Sequence, residues 1–202
     1  MNGESIGNGE SRVKNVVYEA VVLRRYANAA ESVEACLCLP VSYDKSLLKV
    51  IPEEIIAKDY GCGDPSRYIC AGETVLDLGS GSGKACYIIA QIVGAEGRVI
   101  GIDFNPPMLA PARKHQNTIG DQLGYHNVEF RRGKIQDLKT NLELLEQYLM
   151  ENPVHSVGDL ARLEGFESQI RRAQPLIADE SIDLIVSNCV RNLVRPEVKW
   201  DL

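Results

Sequence analysis

The chain has 202 residues, 45% hydrophobic and 25% charged, enough for one domain with a sizeable core and short for two. A formal net charge of −6 and an isoelectric point near 5.2 argue against the basic footprint that nucleic acid or an anionic membrane surface requires. No apolar run approaches the roughly 20 residues of a membrane span. Met1 to Glu10 has no apolar stretch of the signal-peptide kind, so the expected compartment is the reducing cytoplasm.

Residues 1–12 read as a frayed tail and residues 13–72 as a cap segment ahead of a core that starts near Glu73. Within the cap, Val17, Val21, Val22 and Leu23 fall at helical spacing, and Ser46 to Ile56 forms a short helix around Pro52. Tyr60 to Pro65 (YGCGDP) is a tight loop, because two glycines and a proline cannot continue a helix.

The core begins with Thr74-Val-Leu-Asp77-Leu78, a short apolar strand running into Gly79-Ser-Gly81-Ser-Gly83. A helix follows, with Ala85, Ile88, Ile89, Ile92 and Val93 on one face, ended by Gly94 and Gly97. Arg98 to Asp103 is the next strand, Pro107 opens a helix from Met108 to Gly120, and Val128 to Arg131 is a third strand. Residues 137–177 interrupt this alternation with two short amphipathic helices on the rim, and Ser181 to Ser187 returns as strand four. Strand, helix, strand, helix, strand implies an α/β fold with a parallel sheet and right-handed crossovers.

The chemistry starts at the glycines. A strand that turns straight into a helix brings its backbone against a ligand, and glycine permits that approach because it has no Cβ. The helix N-terminus then points its N–H groups at the same place. Asp103 ends the second strand, where an acid accepts both hydroxyls of a ribose. Gly79, Gly81 and Gly83 alternate, whereas a dinucleotide fingerprint spaces its last glycine one residue further. Asp77 stands just before the loop, where it would attract the ammonium of a methionine moiety and repel a pyrophosphate. The expected cofactor is therefore S-adenosylmethionine. Ligands of such sheets sit beyond the carboxyl ends of the strands. That places Ile135, after strand three, beside an adenine or in the core, and Ser187 and Asn188 at the reacting end.

Six cysteines, Cys36, Cys38, Cys62, Cys70, Cys86 and Cys189, contain no CxxC pair, so zinc-ribbon spacing is absent. Cys86 on the apolar helix face and Cys70 before strand one read as structural. His115, His126 and His155 lack convergent partners and read as surface or loop residues.

VLDLGSGSGKACY (Val75 to Tyr87) and GRVIGID (Gly97 to Asp103) resemble the class I methyltransferases. YGCG (Tyr60 to Gly63), SNCVRNLV (Ser187 to Val194), the phrase from Gly124 to Phe130 and SIDLIVSNC resemble the arsenite methyltransferases specifically. The resemblance implies a Rossmann-like fold with an N-terminal helical cap and methyl transfer to trivalent arsenic. Cys62 and Cys189 are the implied arsenic ligands, and Cys36 or Cys38 the implied partner of Cys62 in a redox disulfide. The implied partners are arsenite as a thiol conjugate and a thiol reductant. The family's sheet has seven strands against four found here, so a truncated chain is expected, its fourth strand an open edge carrying Ile182, Leu184 and Val186. A third arsenic thiolate is then missing unless Cys36 or Cys38 supplies it. Two alternatives stay open: a methyltransferase for a small organic acceptor, and a cofactor-binding fragment without activity.

Overall fold

The computed structural model describes residues 43–58 and 63–188, and Arg24. Cys36, Cys38, Cys62 and Cys189, the proposed tail and the helix around Val17 to Leu23 lie outside the described residues.

Two short helices, α1 (Lys45–Leu48) and α2 (Glu53–Ala57), precede a single 3-10 turn at Ser66–Tyr68. The core then runs β1 (Thr74–Leu78), α3 (Lys84–Val93), β2 (Arg98–Asp103), α4 (Pro106–Leu123), β3 (Val128–Arg132), α5 (Leu142–Glu151), α6 (Val157–Ala173) and β4 (Leu184–Val186). All pairings are parallel, in the order β3-β2-β1-β4. The Rossmann-like α/β expectation with four strands holds among the described residues.

Several boundaries differ from the sequence reading, each for a local reason. One helix from Ser46 to Ile56 is in fact two, because Pro52 has no N–H to continue α1 and instead caps α2. α4 begins at Pro106, a first-turn position where the missing donor costs nothing, and continues to Gly124, whose left-handed φ of 82° terminates it. β4 is only three residues long. The insertion helices are longer than expected, 10 and 17 residues. Asn141 caps the first through Glu143 and Leu144 N–H, and Ser156 caps the second through Asp159 N–H. Tyr148 and Phe166 stack between them at 4.1 Å.

The pleat sorts the strand residues onto two faces. Val75, Val99, Phe130 and Val186 pack against Cys86, Tyr87, Ile89 and Val93 of α3 and Leu109, Ala112 and Ile119 of α4, and Ile55 of α2 joins the same cluster. Leu76, Leu78, Ile100 and Ile102 face the other way, against Ile135, Leu176 and Ile177. Asp77 and Gly101 therefore fall on the α3 side. Among the described residues no helix is long and apolar enough to cross a membrane.

The sheet's two edges are finished differently. At β3, Gln116 Nε2 donates to Val128 O and Arg113 donates to Phe130 O, both at 2.9 Å, so two edge carbonyls are capped by α4 side chains. At β4 the exposed apolar residue is Ile185 (54% exposed), whereas Val186 is buried and Ile182 packs on the second cluster. β4 is an edge of the four-stranded sheet, as expected, and its residues Leu184 and Val186 turn into the core.

Candidate functional site: a glycine loop and an adjoining clasp

The glycine loop lies where β1 ends. Gly79 and Ser80 N–H both donate to Ile102 O, at 2.7 and 2.9 Å, which ties the loop to β2, and Gly83 N–H closes a turn on Ser80 O. Gly79, Gly81 and Gly83 all have positive φ (81°, 53° and 85°), a region open to glycine and costly for other residues. Gly83 is also demanded by packing, because a Cβ there would lie 2.6 Å from Phe130 Cζ. Gly83 caps α3, whose first N–H groups point out of the loop.

Asp103 is drawn into this loop more tightly than the ribose role alone implies. Its Oδ2 accepts from Gly81 N–H at 3.0 Å and its Oδ1 from Asn105 N–H at 2.8 Å. Burial raises its carboxyl above the ordinary aspartate value, and the N–H groups of Asn105, Gly81 and Phe104 oppose that rise. Each carboxylate oxygen keeps a second lone pair, so these bonds leave acceptor capacity for hydroxyls. Asp77 is 2% exposed on the α3 face of β1. The hydroxyl of Ser80 is buried in the loop without a hydrogen-bond partner. Glycines without Cβ, an aimed helix terminus, two acids at the strand ends and an orphaned hydroxyl fit S-adenosylmethionine.

Ile135 is 7% exposed, packed in the cluster formed with Leu76, Ile100 and Leu176. Sequence reasoning missed Phe104, next to Asp103 and 5.5 Å from Lys134 Nζ, and Met108, whose Cε would lie 3.2 Å from a Cβ on Gly81. Their signal was position alone, immediately after the strand-two acid.

The cap is fastened to the loop by side chains from both ends of the chain. Ser82, 2% exposed, shares its hydroxyl between Ile55 O (3.2 Å) and Lys58 O (3.3 Å) at the end of α2. Lys84 Nζ stands 4.1 Å from the centre of the Tyr43 ring, and Tyr43 OH donates to Gly63 O at 3.0 Å. Gly63 is gripped again from across the chain. Its N–H donates to Asn188 Oδ1 at 3.0 Å, and Asn188 Nδ2 donates to Gly63 O at 2.7 Å. Ser187 OH donates to Leu78 O at 3.3 Å, holding the β4 exit against β1. Gly63 and Asn188 are the covalent neighbours of Cys62 and Cys189.

The remaining candidates divide. Cys86 is fully buried, as expected, and Cys70 is exposed. His115 is corrected: it is not a free surface residue, because its Nε2 lies 2.9 Å from Glu54, which Lys114 also reaches at 2.7 Å. These contacts hold the Glu54 carboxyl down at about 2 and link α2 to α4. His126 pairs with Asp121 at 3.1 Å, and the His155 N–H donates to Asp159. Among the described residues no group of three or more His, Cys, Asp or Glu is arranged to hold a metal ion.

A parallel sheet with a glycine loop at one strand end and an acid at the next is the frame of a Rossmann-like nucleotide site. The family described as "Methyltransferase domain" matches residues 69–152. The arsenite methyltransferase of Aquipseudomonas alcaligenes is 39% identical over 149 residues, 74% of this chain and 33% of that protein. The human arsenite methyltransferase is 30% identical over 178 residues, 88% of this chain and 39% of that one. The crystal structure of the arsenic(III) S-adenosylmethionine methyltransferase of Chlamydomonas reinhardtii superposes with a TM-score of 0.51 at 31% identity, covering 79% of this chain and 42% of that one. The chain belongs to the arsenite methyltransferase family, and it spans between a third and two fifths of the length of these relatives.

Proposed function

We propose that the chain binds S-adenosylmethionine at the glycine loop and trivalent arsenic at Cys62 and Cys189, and that it transfers the methyl group to arsenic. Bound S-adenosylmethionine supplies an electrophilic methyl group on a sulfonium. Asp77 attracts its ammonium, Asp103 accepts from its ribose, and the loop N–H groups and the α3 terminus receive its carboxylate. Thiolates of Cys62 and Cys189 suit arsenic because it is soft. The arsenic lone pair is then the nucleophile, so no side chain has to act as a general base. The chain's contribution is to hold two reactants in line.

The observation that carries this reading is the clasp between Asn188 and Gly63. It joins two segments 125 residues apart, each one residue from a cysteine of a family motif. The relatives' arsenite activity supports the acceptor, and a thiol is the implied reductant. Isothermal titration of the purified chain with S-adenosylmethionine, alone and with As(III) plus glutathione, tests it. Saturable binding that arsenite modifies is the expected outcome. Binding that arsenite leaves unchanged would shift the acceptor to a small organic molecule, and no binding would leave a fragment without a working cofactor site.

A further inference from the structure

The insertion between β3 and β4 has no part in the reaction above, yet its two ends meet beside the strand-end acids. Residues 138–140 lead into it and residues 176–177 return from it, and these limbs pair. Leu176 N–H donates to Lys139 O at 3.1 Å, and Ile177 N–H to Leu138 O at 2.8 Å. This neck sits against the loop of residues 133–137 that follows β3. Gly133 N–H donates to Asp103 O at 3.1 Å, and Asp137 N–H closes the loop on Lys134 O at 3.0 Å. Leu176, 1% exposed, seats on the bare backbone of Gly133, where a Cβ would lie 2.1 Å from its Cδ2. Its carbonyl accepts from Arg131 Nη1 of β3. The Asp137 carboxylate is gripped by both limbs. It accepts from the N–H groups of Lys139 and Thr140 at 3.1 and 3.2 Å and from the Thr140 hydroxyl at 2.7 Å. From the return limb it accepts from Arg171 Nη1, in the last turn of α6, at 2.5 Å. Burial alone would raise this carboxyl, but the bonds from Thr140, Arg171 and the two N–H groups outweigh it and hold Asp137 below the ordinary aspartate value.

Strand order says which part of the cofactor this neck faces. The sheet runs β3-β2-β1-β4. The methionine end is read at the glycine loop after β1 and the ribose at Asp103 after β2, so the base continues toward the loop after β3. We propose that the insertion is a buttress for the adenosine half of the cofactor site: Leu176 and Arg171, both on its return limb, hold the loop of residues 133–137 against Asp103. Each is a positioning residue, since it acts through the loop and not on the cofactor itself. The inference rests on the reading that S-adenosylmethionine lies with its ribose at Asp103. Every bond made before the base arrives lowers the cost of ordering the loop around it. Arg171 adds to the bonds from Thr140 and the backbone, because its Nη1 reaches both Asp137 and the Thr140 hydroxyl. Its removal therefore loosens the neck without opening it.

The test uses the full chain, with S-adenosylmethionine and adenosine as ligands in calorimetry. Arg171→Met should weaken both by the same factor, about fivefold, because the methionine end is untouched. Arg171→Lys, which keeps a donor within reach of Asp137, should bind both within about twofold of the wild type. Leu176→Ala should weaken both about tenfold, and Arg171→Met carries the test alone where that variant does not fold. Hydrogen exchange on the ligand-free chain is the second readout. Arg171→Met should speed exchange at residues 133–140 and leave the glycine loop, residues 79–83, unchanged. Wild-type affinity for adenosine in Arg171→Met, lysine failing to rescue, or exchange that stays unchanged at 133–140 or speeds equally in both loops would overturn the proposal. So would a wild type that binds S-adenosylmethionine but not adenosine, since the adenosine half would then hold nothing by itself. A wild type that binds neither ligand sinks the cofactor reading and the buttress role with it, while the exchange result separately reports the neck's hold on the loop.

Discussion

Two loops meet beside the carboxyl ends of β1 and β4, and they are held in contrasting ways. The glycine loop is positioned by groups close in sequence or on the adjacent strand: its own positive φ angles, the turn closed by Gly83 on Ser80, and the bonds of Gly79 and Ser80 to Ile102. The Gly63 loop is positioned from far away, by Asn188 at a separation of 125 residues and by Tyr43 at 20. The first loop is part of the sheet's own geometry, tied to β2 through backbone bonds. The second is a docked segment, and its place depends on a few side-chain bonds worth roughly 1 kcal/mol each. A nucleotide site needs the first arrangement, since backbone must approach the ligand closely. A site that gathers thiols from distant segments can only be made by the second.

Substitution in the glycine loop should break the molecule most. Gly83→Ala imposes a left-handed φ of 85° on a residue with a Cβ and drives that Cβ against Phe130 and Ala112. Together these cost about 3 kcal/mol of folding stability, read as a lower denaturation midpoint, with cofactor binding lost. A midpoint equal to that of the wild type would show that the loop relaxes and is not rigid. The clasp should respond less in stability and more selectively in function. Asn188→Ala removes both bonds to Gly63, which predicts As(III) affinity reduced about tenfold or more with cofactor affinity within about twofold. The reverse pattern would make Asn188 a cofactor ligand and erase the contrast between the loops.

Ser82 joins the two regions, so its effect should be intermediate in kind and smaller in size. Ser82→Ala leaves Ile55 O and Lys58 O without their shared donor. Faster hydrogen exchange across residues 53–58 is expected, with a global loss of about 1 kcal/mol. Unchanged exchange there would mean that apolar packing of Ile55 alone fastens the cap. The smallest effect belongs to the surface contacts of Glu54 with Lys114 and His115. Because its carboxyl is held at about 2, below the ordinary 4.5, its contribution to stability is present above the ordinary value and lost as pH falls through about 2. A titration of the Glu54 side chain by nuclear magnetic resonance should show that low midpoint and a rise with added salt. A midpoint near 4.5 at low salt would remove Glu54 from the cap's attachments.

Much of the nucleotide half was legible in the residues, because its requirements are local. Short apolar runs located β1 and β2, helical spacing located α3 and Pro107 marked the start of α4, and three alternate glycines between strand and helix leave few backbone solutions. Cys86 shows where that legibility ends. Its burial followed from its place on an apolar helix face, but its bond to Asp77 depends on β1, β2 and α3 meeting at one point, which no window of sequence contains. His115 was misjudged for the same reason, since its partner Glu54 lies 61 residues away on the cap. The split of α1 from α2 was written in Pro52, and the sequence reading underweighted it.

The sequence by itself determined the parallel α/β core, the glycine loop with its two strand-end acids, and the family. Those features arise from backbone geometry and periodicity, which act over a few residues. Only the tertiary structure decided that Asn188 reaches Gly63, that Ser82 and Tyr43 fasten the cap, and that Ile135 lies in the core. Each of these joins groups far apart in the chain, and such contacts exist only after the packed sheet and helices have brought their partners within hydrogen-bonding or van der Waals range.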